Sequence, residues 1–110
     1  MSVGDYYRVT LVEHEGEPVV EVAGEIDIAA QRHLRDVIDE ARSRGRRLVI
    51  DLSETTFMDS TGLRVLLEAW RDQTAAGSEM VLRAPSPAVR TLFEVTRVGD
   101  TLPIEPATDT

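Results

Sequence analysis

The sequence contains no cysteine and no lysine, and only two of its 110 residues are histidine. Without cysteine the chain has no disulfide, no thiolate nucleophile and no zinc–thiolate site. Without lysine it has neither Schiff-base chemistry nor the lysine of a phosphate-binding loop. These absences exclude several large classes of enzyme.

Long apolar runs and net positive charge are also missing. No segment approaches the roughly 20 apolar residues of a membrane span, and the N-terminal residues MSVGDYYRVT do not have a signal-peptide pattern. The formal net charge is −8. An acidic domain does not attract phosphate backbones or anionic lipids. We therefore expect a cytoplasmic protein that binds neither nucleic acid nor membranes.

What is present is an orderly series of strand and helix patterns. Two alternating segments, YYRVTLVEH and PVVEVAGEI, predict a hairpin around the turn EGEP. A helix capped by Asp27 follows, then LVIDL (48–52), which is typical of a central strand buried on both faces. Next come a helix over 61–75, a strand over 79–84, a helix capped by Ser86 and one short strand.

This order, β-β-α-β-α-β-α with a short final strand, predicts an α/β fold. We expect a mixed four- to five-stranded sheet flanked by three or more helices. The chain should form a single domain over residues 1–110, with its core at about residues 6–104 and a frayed tail over 105–110.

The tetrad DSTG (59–62) stands between the central strand and the second helix. Asp and Ser are both strong N-caps, about 1 kcal/mol better than Ala, and Gly62 permits close packing in the first turn. Ser60 as a hydrolase nucleophile would need a histidine base. His14 is assigned to the hairpin and His33 to the polar side of a helix, and the stretch lacks the glycines of G-x-S-x-G. We expect no catalytic residue.

The acidic residues near Ser60 allow a second interpretation. Glu25, Asp27 and Asp59 could converge at the strand ends, but they lack calcium-loop spacing, and we expect no metal site. A phosphate on Ser60 would meet free N–H groups at the helix start. Its charge of about −1.5 to −2 would fall beside Asp59 and Asp27. Such a modification would alter the surface potential and leave the fold intact, which favours a binding switch.

Three segments resemble the STAS-domain anti-sigma factor antagonists of bacteria: GEIDIAAQRHLRDVIDEA, LVIDLSETTFMDSTGLRVLLEA and SPAVRTLFEVTRV. The resemblance extends over about residues 8–103 and implies a STAS-type sheet flanked by helices. It also implies partner switching, in which the unphosphorylated antagonist binds an anti-sigma factor and releases a sigma factor. That anti-sigma factor is a serine kinase that inactivates the antagonist, and a PP2C-type serine phosphatase reverses the modification.

By position, the resemblance implies that Ser60 is the phosphorylation site. The partner-binding or switch-adjacent residues that it implies are Gly24, Glu25, Asp27, Asp59, Thr61, Gly62 and Arg64. Because the kinase supplies ATP and Mg²⁺, the chain needs no cofactor and is not expected to be an enzyme. Ser60 would then be both the helix cap and the switch. The alternative is a constitutive STAS interaction or ligand-sensing scaffold.

Two arginines depart from the family pattern. Arg97 replaces a glycine at the exit of the third helix, which we therefore expect to end without a left-handed residue. Arg64 replaces a common glycine in the first turn of the second helix, where it could pair with Asp59 or with a phosphate.

The expected contact surface surrounds Ser60. It comprises the rim at Gly24–Asp27, a loop over residues 53–60 and the exposed side of the second helix, with Phe57 and Leu63 in the core.

Overall fold

A computed structural model of the chain describes residues 6–105. The elements are β1 (Tyr7–His14), β2 (Glu17–Ile26), α1 (Ile28–Arg44), β3 (Leu48–Met58), α2 (Ser60–Ala75), β4 (Met80–Arg83), α3 (Pro87–Thr96) and β5 (Ile104–Glu105). This is the predicted order, and β5 is the short final strand. Apart from its first residue, Glu105, the predicted frayed tail lies outside the described residues.

The strands form one mixed sheet in the order β1-β2-β3-β4-β5. β1 and β2 pair as an antiparallel hairpin, and every later pair is parallel. The predicted α/β fold is therefore confirmed. A helix joins each parallel pair, and the three connections step in the same direction across the sheet. Because such connections are right-handed, they place all three helices over one face.

The hydrophobic core lies between that face and the helices. Val20, Ile50 and Leu82 on three adjacent strands are fully buried, and they belong to one cluster with Leu34 of α1 and Leu66 of α2. Strand and helix periodicity together explain this arrangement, because each element directs its apolar stripe to the same layer. None of the helices in the described part of the chain has the length and apolarity needed to cross a bilayer.

β3 continues well beyond its apolar start and ends at Met58. Its pairing with β2 contains two register shifts, one between Glu21 and Ala23 of β2 and one between Gly24 and Glu25. The predicted loop over residues 53–60 is therefore wrong, because the polar stretch pairs with β2 as a bulged strand. A single residue separates the end of β3 from the start of α2.

α3 ends at a left-handed residue, which corrects the expectation for Arg97. This arginine has φ 60° and ψ 33°. Its N–H donates to the carbonyl of Glu94 at 3.2 Å, and the N–H of Val98 donates to the carbonyl of Phe93 at 3.1 Å. These two bonds form a Schellman ending. They offset the cost of about 1–2 kcal/mol that a side chain incurs in this conformation.

Candidate functional site

The ends of β2 and β3 bring the starts of two helices side by side. Ile26 pairs with Met58, so the residues that follow them, Asp27 and Asp59, occupy neighbouring positions. Each is the N-cap of its helix, Asp27 for α1 and Asp59 for α2. The N–H of Asp59 also donates to the carbonyl of Ile26 at 3.1 Å. This backbone bond ties the start of α2 to the end of β2.

Asp59, and not Ser60, caps α2. Its Oδ1 accepts hydrogen bonds from the N–H of Thr61 at 2.9 Å and from the N–H of Gly62 at 3.3 Å. The hydroxyl of Thr61 donates to the same oxygen at 2.6 Å. The expectation that one residue is both cap and switch is therefore wrong, because the carboxylate satisfies the N–H groups that open the helix.

Ser60 is the first residue of α2 and its side chain is exposed. Among residues 6–105, nothing forms a hydrogen bond with its hydroxyl. The neighbouring Thr61 differs, since it is half-buried and its hydroxyl is engaged by Asp59. Of these two adjacent hydroxyl groups, only that of Ser60 faces solvent without a partner.

Gly62 holds the first turn of α2 close to the strand ends. A Cβ at this position would lie 2.9 Å from Cγ of Met58 and 3.0 Å from Cγ2 of Ile26, both closer than normal packing permits. Leu63, the next residue, is buried as expected. The start of α2 is therefore packed directly on the sheet, and Ser60 is positioned by that packing.

Three exposed apolar residues flank the helix starts. We call Tyr6, Ile28 and Phe57 the apolar rim; these residues are 54%, 70% and 49% exposed. The expectation that Phe57 packs in the core is wrong. The second register shift changes the alternation of β3, so that Thr55 and Met58 turn inward and Phe57 turns outward.

Gly24 and Glu25 complete the neighbouring edge. The N–H of Glu25 donates to the carbonyl of Tyr6 at 2.8 Å. Gly24 has φ +85°, and a Cβ there would overlap the same carbonyl oxygen. Gly24 is therefore required by the backbone approach, while the exposed Glu25 lines a hollow of about 250 Å³ with Asp27, Tyr6 and Tyr7.

Arg64 is the fifth residue of α2, just past the first turn in which it was placed by the sequence. It is exposed and forms no ion pair with Asp59 or with any other described residue. The ring of His33 packs edge-on against Tyr7, with centroids 5.8 Å apart. Residues 6–105 contain no group of three potential metal ligands.

The fold and the site together define a small α/β domain that presents an exposed serine on a rigid corner. The family model described as "Mlab, STAS domain" matches residues 9–104. The chain belongs to the STAS domain family.

Similar proteins agree with this assignment. The "Anti-sigma-B factor antagonist" of Listeria monocytogenes serovar 1/2a is 36% identical over 85 residues, covering 76% of this chain and 75% of the relative. The crystal structure of an anti-sigma factor antagonist from Mycobacterium paratuberculosis has a TM-score of 0.82 and 30% identity, covering 99% of this chain and 93% of that one.

A third similar protein was solved as the Bacillus cell fate determinant SpoIIAA in the phosphorylated form. Its TM-score is 0.67 at 26% identity, with 94% of this chain and 92% of that chain covered. The resemblance to STAS-domain anti-sigma factor antagonists is confirmed by these three proteins and the family model.

Proposed function

We propose that this chain is an anti-sigma factor antagonist and that phosphorylation of Ser60 controls its binding. The names of its relatives support the first part of the proposal. The second part is carried by one observation: the hydroxyl of Ser60 is exposed and unbonded within the described chain, while Asp59 caps the helix. The acceptor can therefore be modified without removing the cap.

A phosphate at this position is compatible with the fold. The positive end of the α2 dipole favours an anion at the start of the helix. Asp59 keeps its bonds to Thr61 and Gly62, so the first turn of α2 need not open. The similarity to SpoIIAA in the phosphorylated form supports this point, since that form keeps a comparable fold.

The same phosphate changes the charge of the surface that a partner would contact. It adds a charge of about −1.5 to −2 next to Asp59 and near Asp27. The apolar rim lies beside these carboxylates and supplies contact area that a partner would desolvate. A partner that binds this corner in the unmodified form would then face a dense negative charge, which disfavours desolvation and close contact.

The kinase in this proposal is the anti-sigma factor itself, a serine kinase that supplies ATP and Mg²⁺. A PP2C-type serine phosphatase restores the binding form. The chain contributes the acceptor hydroxyl and the surrounding surface and performs no chemistry of its own.

Phosphorylation can be tested with the serine-kinase anti-sigma factor from the same genome. We expect wild type to gain one phosphate with Mg²⁺–ATP, located on Ser60 by peptide mass spectrometry. Ser60→Ala should gain none, and the matched control Thr61→Val should still be modified. A phosphate on Thr61, or modification of Ser60→Ala, would show that the acceptor is wrong.

Binding provides the second readout. We expect kinase-treated chain to lose the anti-sigma factor in a pull-down and phosphatase-treated chain to retain it. Ser60→Asp should bind more weakly while its far-UV circular dichroism stays native. If the treatment leaves binding unchanged, the chain acts as a constitutive scaffold instead.

A further inference from the structure

An open groove of about 390 Å³ runs along the exposed side of α2, beginning at Ser60. We call it the α2 groove; it is lined by Ser60, Leu63, Arg64, Leu67, Glu68 and Arg71. These residues are spaced by three or four positions, so they share one side of the helix. Leu67 is half-buried and provides an apolar floor between charged walls.

The α2 groove is basic in a protein of net charge −8. Oε1 of Glu68 lies 2.6 Å from Nη1 of Arg35, so the one carboxylate in the groove is already compensated. Arg64 and Arg71 are exposed and make no ion pair with any residue from 6 to 105. Arginines that do form ion pairs are Arg8, Arg35, Arg42, Arg44, Arg47 and Arg83. Two uncompensated guanidinium groups therefore lie on the same side of α2, about two turns apart.

We propose that the α2 groove binds an acidic segment of the partner protein that also carries apolar side chains. Charge complementarity identifies this occupant, because each guanidinium presents a planar fork that donates two hydrogen bonds to a carboxylate. Leu67, between Arg64 and Arg71 on the helix, would receive an apolar side chain. A polyanion such as nucleic acid fits less well, since the rest of the surface is acidic.

A phosphate on Ser60 would compete with the acidic segment for the α2 groove; this step rests on the proposed function. Arg64 lies four positions after Ser60 on the same side of α2, so a phosphate on Ser60 enters the same groove beside that guanidinium. A charge of about −1.5 to −2 outweighs that of Arg64, whereas Arg71 lies about three helical turns from Ser60 along α2. Phosphorylation thereby replaces attraction for an acidic segment with repulsion at the Ser60 end of the groove.

The test is a titration of the ¹⁵N-labelled chain with an acetylated peptide of alternating Glu-Glu and Leu-Leu pairs, followed by amide chemical shifts. We expect the largest shifts over residues 60–71 and a dissociation constant that rises with added NaCl. The double variant Arg64→Gln/Arg71→Gln should bind about tenfold more weakly. Arg32→Gln, at an exposed arginine of α1 without an ion pair in the described chain, is the matched control and should bind like wild type.

Several outcomes would overturn the inference. Shifts concentrated at Glu25 and Asp27, equal affinity for the double variant, or preferential binding of the matching Lys–Leu peptide to α2 would each do so. The wild-type shift map stands even if a variant misfolds.

Ser60→Asp tests whether a negative charge at position 60 inhibits binding in the α2 groove. This variant should weaken peptide binding severalfold, whereas Ser60→Ala should not. The peptide titration needs no kinase, so the two tests are independent. The α2 groove can bind the peptide even if Ser60 is not phosphorylated, and Ser60 can be phosphorylated even if the groove does not bind the peptide.

Discussion

Replacing Asp59 by alanine tests whether Asp59, rather than Ser60, is the N-cap that stabilises the start of α2. One carboxylate oxygen accepts from the N–H groups of Thr61 and Gly62 and from the Thr61 hydroxyl. Loss of an aspartate N-cap costs about 0.5–2 kcal/mol. The half-buried Thr61 hydroxyl also loses its acceptor, which adds about 1 kcal/mol. We expect Asp59→Ala to lower the free energy of unfolding by about 2 kcal/mol.

Two further variants separate the contributions. Asp59→Asn keeps a side-chain oxygen as acceptor and removes the negative charge at the helix start, so the loss should be about 0.3–1 kcal/mol. Ser60→Ala removes an exposed hydroxyl that is unbonded within residues 6–105. Its free energy of unfolding should stay within about 0.5 kcal/mol of wild type.

The assay is urea unfolding followed by the fluorescence of Trp70, the single tryptophan, which lies half-buried on α2. In thermal unfolding, Asp59→Ala should melt roughly 8 °C below wild type. A larger loss for Ser60→Ala than for Asp59→Ala would show that the serine is the cap. That result would refute the argument that phosphorylation leaves the helix start intact.

Three other predictions concern the frame around the site. Gly24→Ala should lose roughly 2–4 kcal/mol, because its Cβ meets backbone at a positive φ; Gly99→Ala, with open space around it, is the control and should stay near wild type in urea unfolding. Arg97→Gly should gain about 1 kcal/mol by relieving the left-handed conformation, and a loss in the same assay would contradict this. Met58→Ala should cost about 2–5 kcal/mol, whereas Phe57→Ala, half exposed, should cost less than about 1 kcal/mol; comparable losses for the two neighbours would show that Phe57 is in the core.

The order of elements could be predicted from the sequence because strand and helix periods are local properties of the chain. The N-caps Asp27 and Ser86 were predictable for the same reason, since a cap bonds within its own first turn. Asp59 and Ser60 could not be separated in this way, because both are strong caps. The pairing of Ile26 with Met58 decides between them, and that contact joins residues far apart in the chain.

The second half of β3 was missed for a related reason. Its residues are mostly polar, and the two register shifts break the alternation on which strand prediction depends. The side chains of Leu52, Thr55 and Met58 turn inward at intervals of three rather than two, which leaves Phe57 outside. The left-handed backbone of Arg97 was missed because residues other than glycine only disfavour this conformation. The hydrogen bonds that close α3 outweigh that preference.

The single residue between β3 and α2 has a consequence for any enzyme that acts on Ser60. Asp59 is fixed by its backbone bond to Ile26 and by its bonds to the helix that follows. The backbone around Ser60 consequently cannot enter an active site in an extended conformation unless the start of α2 unfolds. An enzyme has to dock onto the intact end of the domain, and a short peptide copied from this stretch would lack that folded surface. Such an enzyme would then recognise Ser60 by the folded surface around it rather than by the residues that flank it in the sequence.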